Sequence, residues 1–188
     1  MNQDKRPQTP VTPVIVVIHG PNLNLLGTRE PHIYGQTTLR EIDRDLLAHG
    51  VRLGVTVETF QSNHEGAIVD RIQQEHGRAA GIIINAGGLT HTSVSVRDAI
   101  AAIKIPTVEV HLSNLYSREE FRHRSLLAPV CRGQIAGLGA IGYRLALDAL
   151  ANLVQKQETA KSGITAPPDS SQAKSRVATS SKKGAARK

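Results

Sequence analysis

Four stretches of this 188-residue chain follow short apolar runs with groups able to move protons or hold oxygen atoms. They are His19-Gly20-Pro21-Asn22-Leu23-Asn24, Gln61-Ser62-Asn63-His64, Asn85-Ala86-Gly87-Gly88-Leu89-Thr90-His91 and Glu109-Val110-His111-Leu112-Ser113-Asn114. One such stretch is ordinary, because Asn and Ser favour turns and helix caps for local reasons. Four together predict a site for a polar ligand. In the last stretch Glu109 and His111 stand two apart on a strand pattern, so their side chains leave on the same face. A carboxylate beside an imidazole fixes its tautomer and favours the protonated form that a general acid requires. The same spacing also suits a buried ion pair that only packs. Gly87 and Gly88 allow backbone N–H groups to approach an anionic group such as a substrate carboxylate, with Asn85 and His91 on either side. A tight turn without a ligand is the other reading of the two glycines.

The connection from Gly20 to Gln36 carries two further chemical residues, Arg29 and Tyr34, and a loop of that length over a cleft is often a lid. Tyrosine has an ordinary pKa of about 10 and is a poor base at neutral pH, but a guanidinium within a few ångströms lowers that value. With Arg29 beside Tyr34 the pair becomes a proton acceptor. Without that contact Tyr34 packs and Arg29 is solvated.

These residues need a scaffold that brings strand ends together. The runs Val14 to Ile18, Val55 to Phe60, Gly81 to Ile84, Thr107 to Val110 and, most weakly, Gly133 to Ala136 lack in/out alternation. Such runs suit strands buried on both faces, as in a parallel sheet. Helical stretches lie between them. Thr38 with Glu41, Ser62 with Glu65 and Ser117 with Glu120 have capping-box spacing, and Val94 to Ile103 and Ala140 to Val154 complete the set. The strict β-α alternation predicts an α/β, doubly wound five-stranded parallel sheet in the flavodoxin-like order 2-1-3-4-5, as a single domain. In that arrangement all carboxyl ends open on one edge, where ligands bind.

Charge is unevenly distributed. From Lys156 to Lys188 there are eight Lys or Arg against Glu158 and Asp169, so six of the seven net positive charges lie there. The body is close to neutral. We expect a disordered N-terminal extension at 1–13, a catalytic domain at 14–155 and a disordered basic tail at 156–188 that solubilises the chain. Nucleic acid is not an expected partner, because no aromatic side chains interleave with the tail's cations. The longest purely aliphatic run, Val14 to Ile18, is far below the roughly 20 residues of a membrane span, and the N-terminus lacks a signal-peptide pattern, so a cytoplasmic location is expected. Cys131 is the one cysteine and cannot form an internal disulfide or a multi-cysteine metal site.

The motifs His19-Gly-Pro-Asn22-Leu-Asn24-Leu-Leu-Gly27-Thr-Arg29-Glu-Pro31, Ile33-Tyr34-Gly35, Phe60-Gln-Ser-Asn63-His-Glu65-Gly66, Asn85-Ala-Gly-Gly88-Leu-Thr-His91-Thr-Ser93, Val108-Glu109-Val-His111-Leu-Ser113-Asn114 and Arg118-Glu-Glu120-Phe-Arg122 closely resemble type II 3-dehydroquinate dehydratase. The resemblance covers Val14 to about Val154. It implies a flavodoxin-like lyase of the shikimate pathway without cofactor or metal, which performs the anti elimination of water from 3-dehydroquinate to give 3-dehydroshikimate. It further implies that Tyr34, as tyrosinate, removes the proton next to the ketone, with Arg29 lowering its pKa and stabilising the transition state. Asn22 would support the enolate through a water, His111 would protonate the departing hydroxyl, and Glu109 would orient His111. Asn85, His91, Leu112, Ser113, Arg122 and Asp98 would contact substrate. In the resembled family the counterpart of Asp98 reaches a neighbouring subunit's site, and trimers build a dodecamer. His123-Arg124 inverts a common order in that family while leaving Arg122 in register.

The residues agree with that class of mechanism, since a base, an enolate support and an acid are all present. An imine route needs a buried lysine, and the one Lys between 14 and 155 is Lys104, away from the strand-end edge. Two alternatives remain: a nucleotide-binding flavodoxin-like protein, and the same reaction serving quinate catabolism. Gly137-Leu-Gly139-Ala-Ile-Gly142 matches G-x-G-x-x-G, but it belongs to the last β-α unit and lacks the acidic ribose partner, so helix–sheet packing accounts better for its glycines.

Overall fold

The computed structural model describes residues 12–27 and 37–162, and its strands form one five-stranded sheet in the order β2-β1-β3-β4-β5. They are β1 (Val14–His19), β2 (Thr56–Gln61), β3 (Gly81–Asn85), β4 (Thr107–His111) and β5 (Gly133–Ala136), and all neighbours are parallel. Four α-helices cover it: α1 (Leu39–Leu53), α2 (Glu65–Gln74), α3 (Val94–Ile103) and α4 (Ile141–Ser162). The expected doubly wound single domain is what forms.

The unalternating apolar runs explain the two layers. Ile15 and Val17 of β1 pack with Leu46 of α1 and Leu147 and Leu150 of α4 on one face. Val16 and Ile18 pack with Ile68 and Ile72 of α2 and Val96 and Ile100 of α3 on the other. Burying each such side chain contributes roughly 1.5–3 kcal/mol, so successive residues of one strand anchor opposite helix layers.

Local signals set where the helices start. At α1 the Glu41 N–H donates to Thr38 Oγ1 at 3.3 Å and the Thr38 N–H donates to Glu41 Oε2 at 2.8 Å, which completes the expected capping box. The box expected from Ser62 and Glu65 does not form. His64 is the N-cap of α2, Ser62 Oγ accepts from the His64 N–H, and the Glu65 carboxylate accepts from Ser93 Oγ at the start of α3. A tertiary partner has replaced the local one. The helix expected from Ser117 and Glu120 is also absent; short 3-10 turns at Leu115–Ser117, Glu120–Arg122 and Ala128–Val130 make that crossover. Its charged run Arg118-Glu-Glu-Phe-Arg offers no apolar stripe, and Pro129 removes a backbone donor. Helix α4 continues to Ser162, so 156–162, assigned from sequence to the tail, prolong the last helix.

Register delivers the strand ends to one level. His19 lies opposite both Gln61 and Asn85, and His111 lies opposite Ala136. Where the chain leaves β1, the Gly20 N–H donates to the Asn85 carbonyl at 2.7 Å, and a Cβ on Gly20 would come within 2.5 Å of the Ala86 carbonyl group. Only glycine permits that approach. Gly142 plays the packing role expected of its motif, since a Cβ there would sit 3.3 Å from Ile135 Cγ2. No helix among the described residues is long and apolar enough to cross a membrane.

Candidate active site

A cleft of about 800 Å³, open to solvent, lies across the carboxyl ends of β1, β3 and β4. His111 ends β4 and forms part of its wall, while Glu109 lies behind it with 0% exposure. His111 Nε2 stands 2.6 Å from Glu109 Oε1, so the two-residue spacing on a strand places them as expected. Because Nε2 serves the carboxylate, Nδ1 is the nitrogen left for the cleft. His91 lies alongside, its ring stacked on His111 with centroids 6.4 Å apart. Its Nδ1 carries the hydrogen, because the Arg124 carbonyl at 2.8 Å can only accept.

Glu109 is held by a residue the sequence reading missed. Ser125 Oγ accepts from the backbone N–H groups of Leu127 (3.0 Å) and Ala128 (2.9 Å). With both lone pairs occupied, its hydrogen goes to the Glu109 carboxylate, 2.9 Å from both oxygens. The hydroxyl and the His111 ring together fix the position of the carboxylate. Its charge reaches Cys131, whose thiol is pushed up to about 12, by burial first and Glu109 second. Cys131 is therefore a thiol at neutral pH rather than a nucleophilic thiolate.

The cleft's other walls are polar where the sequence placed its candidates. Asn22 lines it in the left-handed region with φ 67°, and its N–H donates to Asn63 Oδ1 at 2.9 Å. Asn is among the few side chains that accept such a backbone conformation readily. Asn85, Leu112, Ser113 and Arg122 also line it. Arg122 stacks its guanidinium 4.8 Å from the Phe121 ring centre and donates from Nε to Glu119 Oε2 at 2.9 Å. Arg118, which the sequence reading left in a motif without a role, adds a second guanidinium to the wall and reaches Ser113 Oγ at 3.4 Å. Two arginines beside a strand-end cleft suit an anionic ligand.

Asp98 stands apart from this group. It is on α3, pairs with Arg97 at 2.7 Å, and its side chain is 61% exposed, outside the lining of this chain's own cleft. Arg29 and Tyr34 lie outside the described residues. Sequence pattern could have flagged Ser125 only as one more turn serine. Its bond to Glu109 spans 16 residues and exists only after the crossover folds back.

A doubly wound parallel sheet with an imidazole–carboxylate pair, amides and arginines at its carboxyl edge defines an enzyme acting on a small anionic substrate. Residues 13–151 match the family described as Dehydroquinase class II. A 3-dehydroquinate dehydratase from Ruegeria pomeroyi is 58% identical over 137 residues, which cover 73% of this chain and 92% of that protein. A catabolic 3-dehydroquinase from Aspergillus clavatus is 57% identical over 137 residues, covering 73% of this chain and 91% of its own. The crystal structure of the type II dehydroquinase from Butyrivibrio crossotus superposes with a TM-score of 0.73 at 47% identity, over 74% of this chain and 97% of that one. The chain belongs to the class II dehydroquinase family.

Proposed function

We propose that the chain removes water from 3-dehydroquinate by anti elimination, giving 3-dehydroshikimate in the shikimate pathway. Membership of the family supports the reaction, and the His111–Glu109 pair facing an arginine-lined cleft is the observation that carries the mechanism. Tyr34 takes the proton next to the ketone and Arg29 keeps its phenolate accessible. The electron pair left behind forms an enolate, supported through water by Asn22. His111 then gives its Nδ1 proton to the leaving hydroxyl, the carbon–oxygen bond breaks, and water departs as the enone forms. Glu109 stabilises the imidazolium before transfer, and Ser125 holds the Glu109 carboxylate in place. Asn85, His91, Leu112, Ser113 and Arg122 hold the substrate. Asp98 serves a neighbouring subunit's site within a trimer-based dodecamer, a reading supported by its exposure on α3 outside this chain's own cleft.

The same chemistry in quinate breakdown is supported by the relatives named catabolic 3-dehydroquinases. Adding 3-dehydroquinate to the purified chain should produce the absorbance of a conjugated enone, unchanged by EDTA or by borohydride. In Tyr34→Phe the rate should fall by several orders of magnitude while the fold is kept. A flat trace with the wild-type chain refutes the activity, and wild-type turnover in Tyr34→Phe refutes the assignment of the base.

A further inference from the structure

Asn85 lines the cleft at the end of β3, and its neighbours dictate its orientation. The Gly87 N–H can only donate, so the Asn85 atom 3.2 Å away is the acceptor Oδ1. Nδ2 then faces Tyr143 Oη at 3.0 Å and donates to it. The Tyr143 hydroxyl has one hydrogen of its own, and His19 Nδ1 at 3.0 Å accepts it. The hydrogen of the His19 ring therefore sits on Nε2, 2.9 Å from Asp43 Oδ1. The direction is set from the far end: the Asp43 carboxylate can only accept, so the ring nitrogen facing it carries the hydrogen, and in the neutral imidazole Nδ1 accepts from Tyr143. The chain of bonds draws on β3, α4, β1 and α1, and both His19 and Tyr143 have 0% exposure. Burial raises the Tyr143 pKa well above the ordinary phenol value, so the hydroxyl keeps its hydrogen at neutral pH.

We infer that Asp43, His19 and Tyr143 form a hydrogen-bond relay that, with the Gly87 N–H, locks the Asn85 amide in one orientation, so that its second Nδ2 hydrogen is held ready for a ligand in the cleft. Tyr143 is then a positioning residue for an oxygen acceptor on the ligand, a carboxylate or hydroxyl oxygen. With one Nδ2 hydrogen on Tyr143 and Oδ1 turned to Gly87, the second Nδ2 hydrogen is the donor that Asn85 has left. The inference rests on the reading of the cleft as the 3-dehydroquinate site.

Tyr143→Phe keeps the buried ring and removes the hydroxyl. The expected result is a rise of about tenfold in KM for 3-dehydroquinate with kcat within about twofold of wild type, the signature of lost uniform binding. In an Asn85→Ala background the same substitution should change KM by less than about twofold, because its effect passes through Asn85. An equal KM change in both backgrounds overturns the relay, as does an unchanged KM in Tyr143→Phe alone. Should Tyr143→Phe fail to fold, Asp43→Ala at the half-buried end of the relay gives the same cycle, with an expected rise of about twofold to threefold that vanishes without Asn85. Nitrogen NMR of His19 reads the relay with no substrate present. A hydrogen on Nε2 and a bare Nδ1 support it, and the opposite tautomer overturns it even if 3-dehydroquinate proves not to be the substrate.

Discussion

Among the described residues two acids are almost entirely withdrawn from water, Glu109 at the carboxyl end of β4 and Glu75 just after α2, and they are held in opposite ways. Glu75 accepts from Arg71 Nε at 2.6 Å and Arg78 Nε at 2.8 Å, and the same two arginines hold Glu58 of edge strand β2 at 2.8 and 2.7 Å. Both cations are permanently charged, so the cluster is balanced and has no proton to give; it braces α2 against the sheet edge. Glu109 is instead held by a neutral hydroxyl and one imidazole. The imidazole can change charge, and its second nitrogen belongs to a cleft. Burial with a fixed cation makes a brace, whereas burial with a titratable partner at a cleft suits the proton transfer proposed for His111.

Breaking the second arrangement should therefore affect rate, and breaking the first should affect only stability. Glu109→Gln has the largest expected effect. It removes the charge that sustains the imidazolium, and turnover should fall by about 10²–10⁴-fold, the usual worth of general acid catalysis. Ser125→Ala comes next. Losing one hydrogen bond to a charged group, worth about 1.5–3 kcal/mol, should lower kcat at least tenfold with KM little changed, because the Glu109 carboxylate is then free to turn away from His111. Ser125→Thr, which keeps the hydroxyl, should restore kcat, and steady-state kinetics of the two variants check this.

Glu58→Gln should leave kcat and KM at wild-type values. Glu58 is held at about 2 in the folded chain, chiefly by its hydrogen bonds from Arg78, against an ordinary value of 4.5. Its folded pKa is depressed, so the stability it contributes is present above about pH 4.5 and is lost as pH falls toward 2. Its side chain is 37% exposed, and solvent screening limits the expected loss in the variant at pH 7 to about 1 kcal/mol. Denaturant unfolding at pH 7 and pH 3 should show the difference from wild type shrinking at the lower value.

The contrast also marks what sequence could and could not reveal. The parallel sheet was legible because strands buried on both faces leave unalternating runs such as Gly81 to Ile84, and the Glu109–His111 pair was legible because spacing two on a strand fixes a shared face. The crossover from Ser113 to Arg132 was not, because capping spacing at Ser117 and Glu120 says nothing about the apolar stripe a helix also needs. Ser125, Arg118, His19 and Tyr143 acquire their roles from contacts between distant segments, as with His19 and Tyr143, 124 residues apart. The resemblance supplied roles for Arg29 and Tyr34 that local pattern could state only conditionally.

The most direct test of the account follows the growth of enone absorbance at saturating 3-dehydroquinate, with wild type and Glu109→Gln side by side and their folds matched by circular dichroism. The account predicts a steep trace for wild type and a slope at least a hundredfold lower for the variant. Slopes that agree within twofold would contradict it.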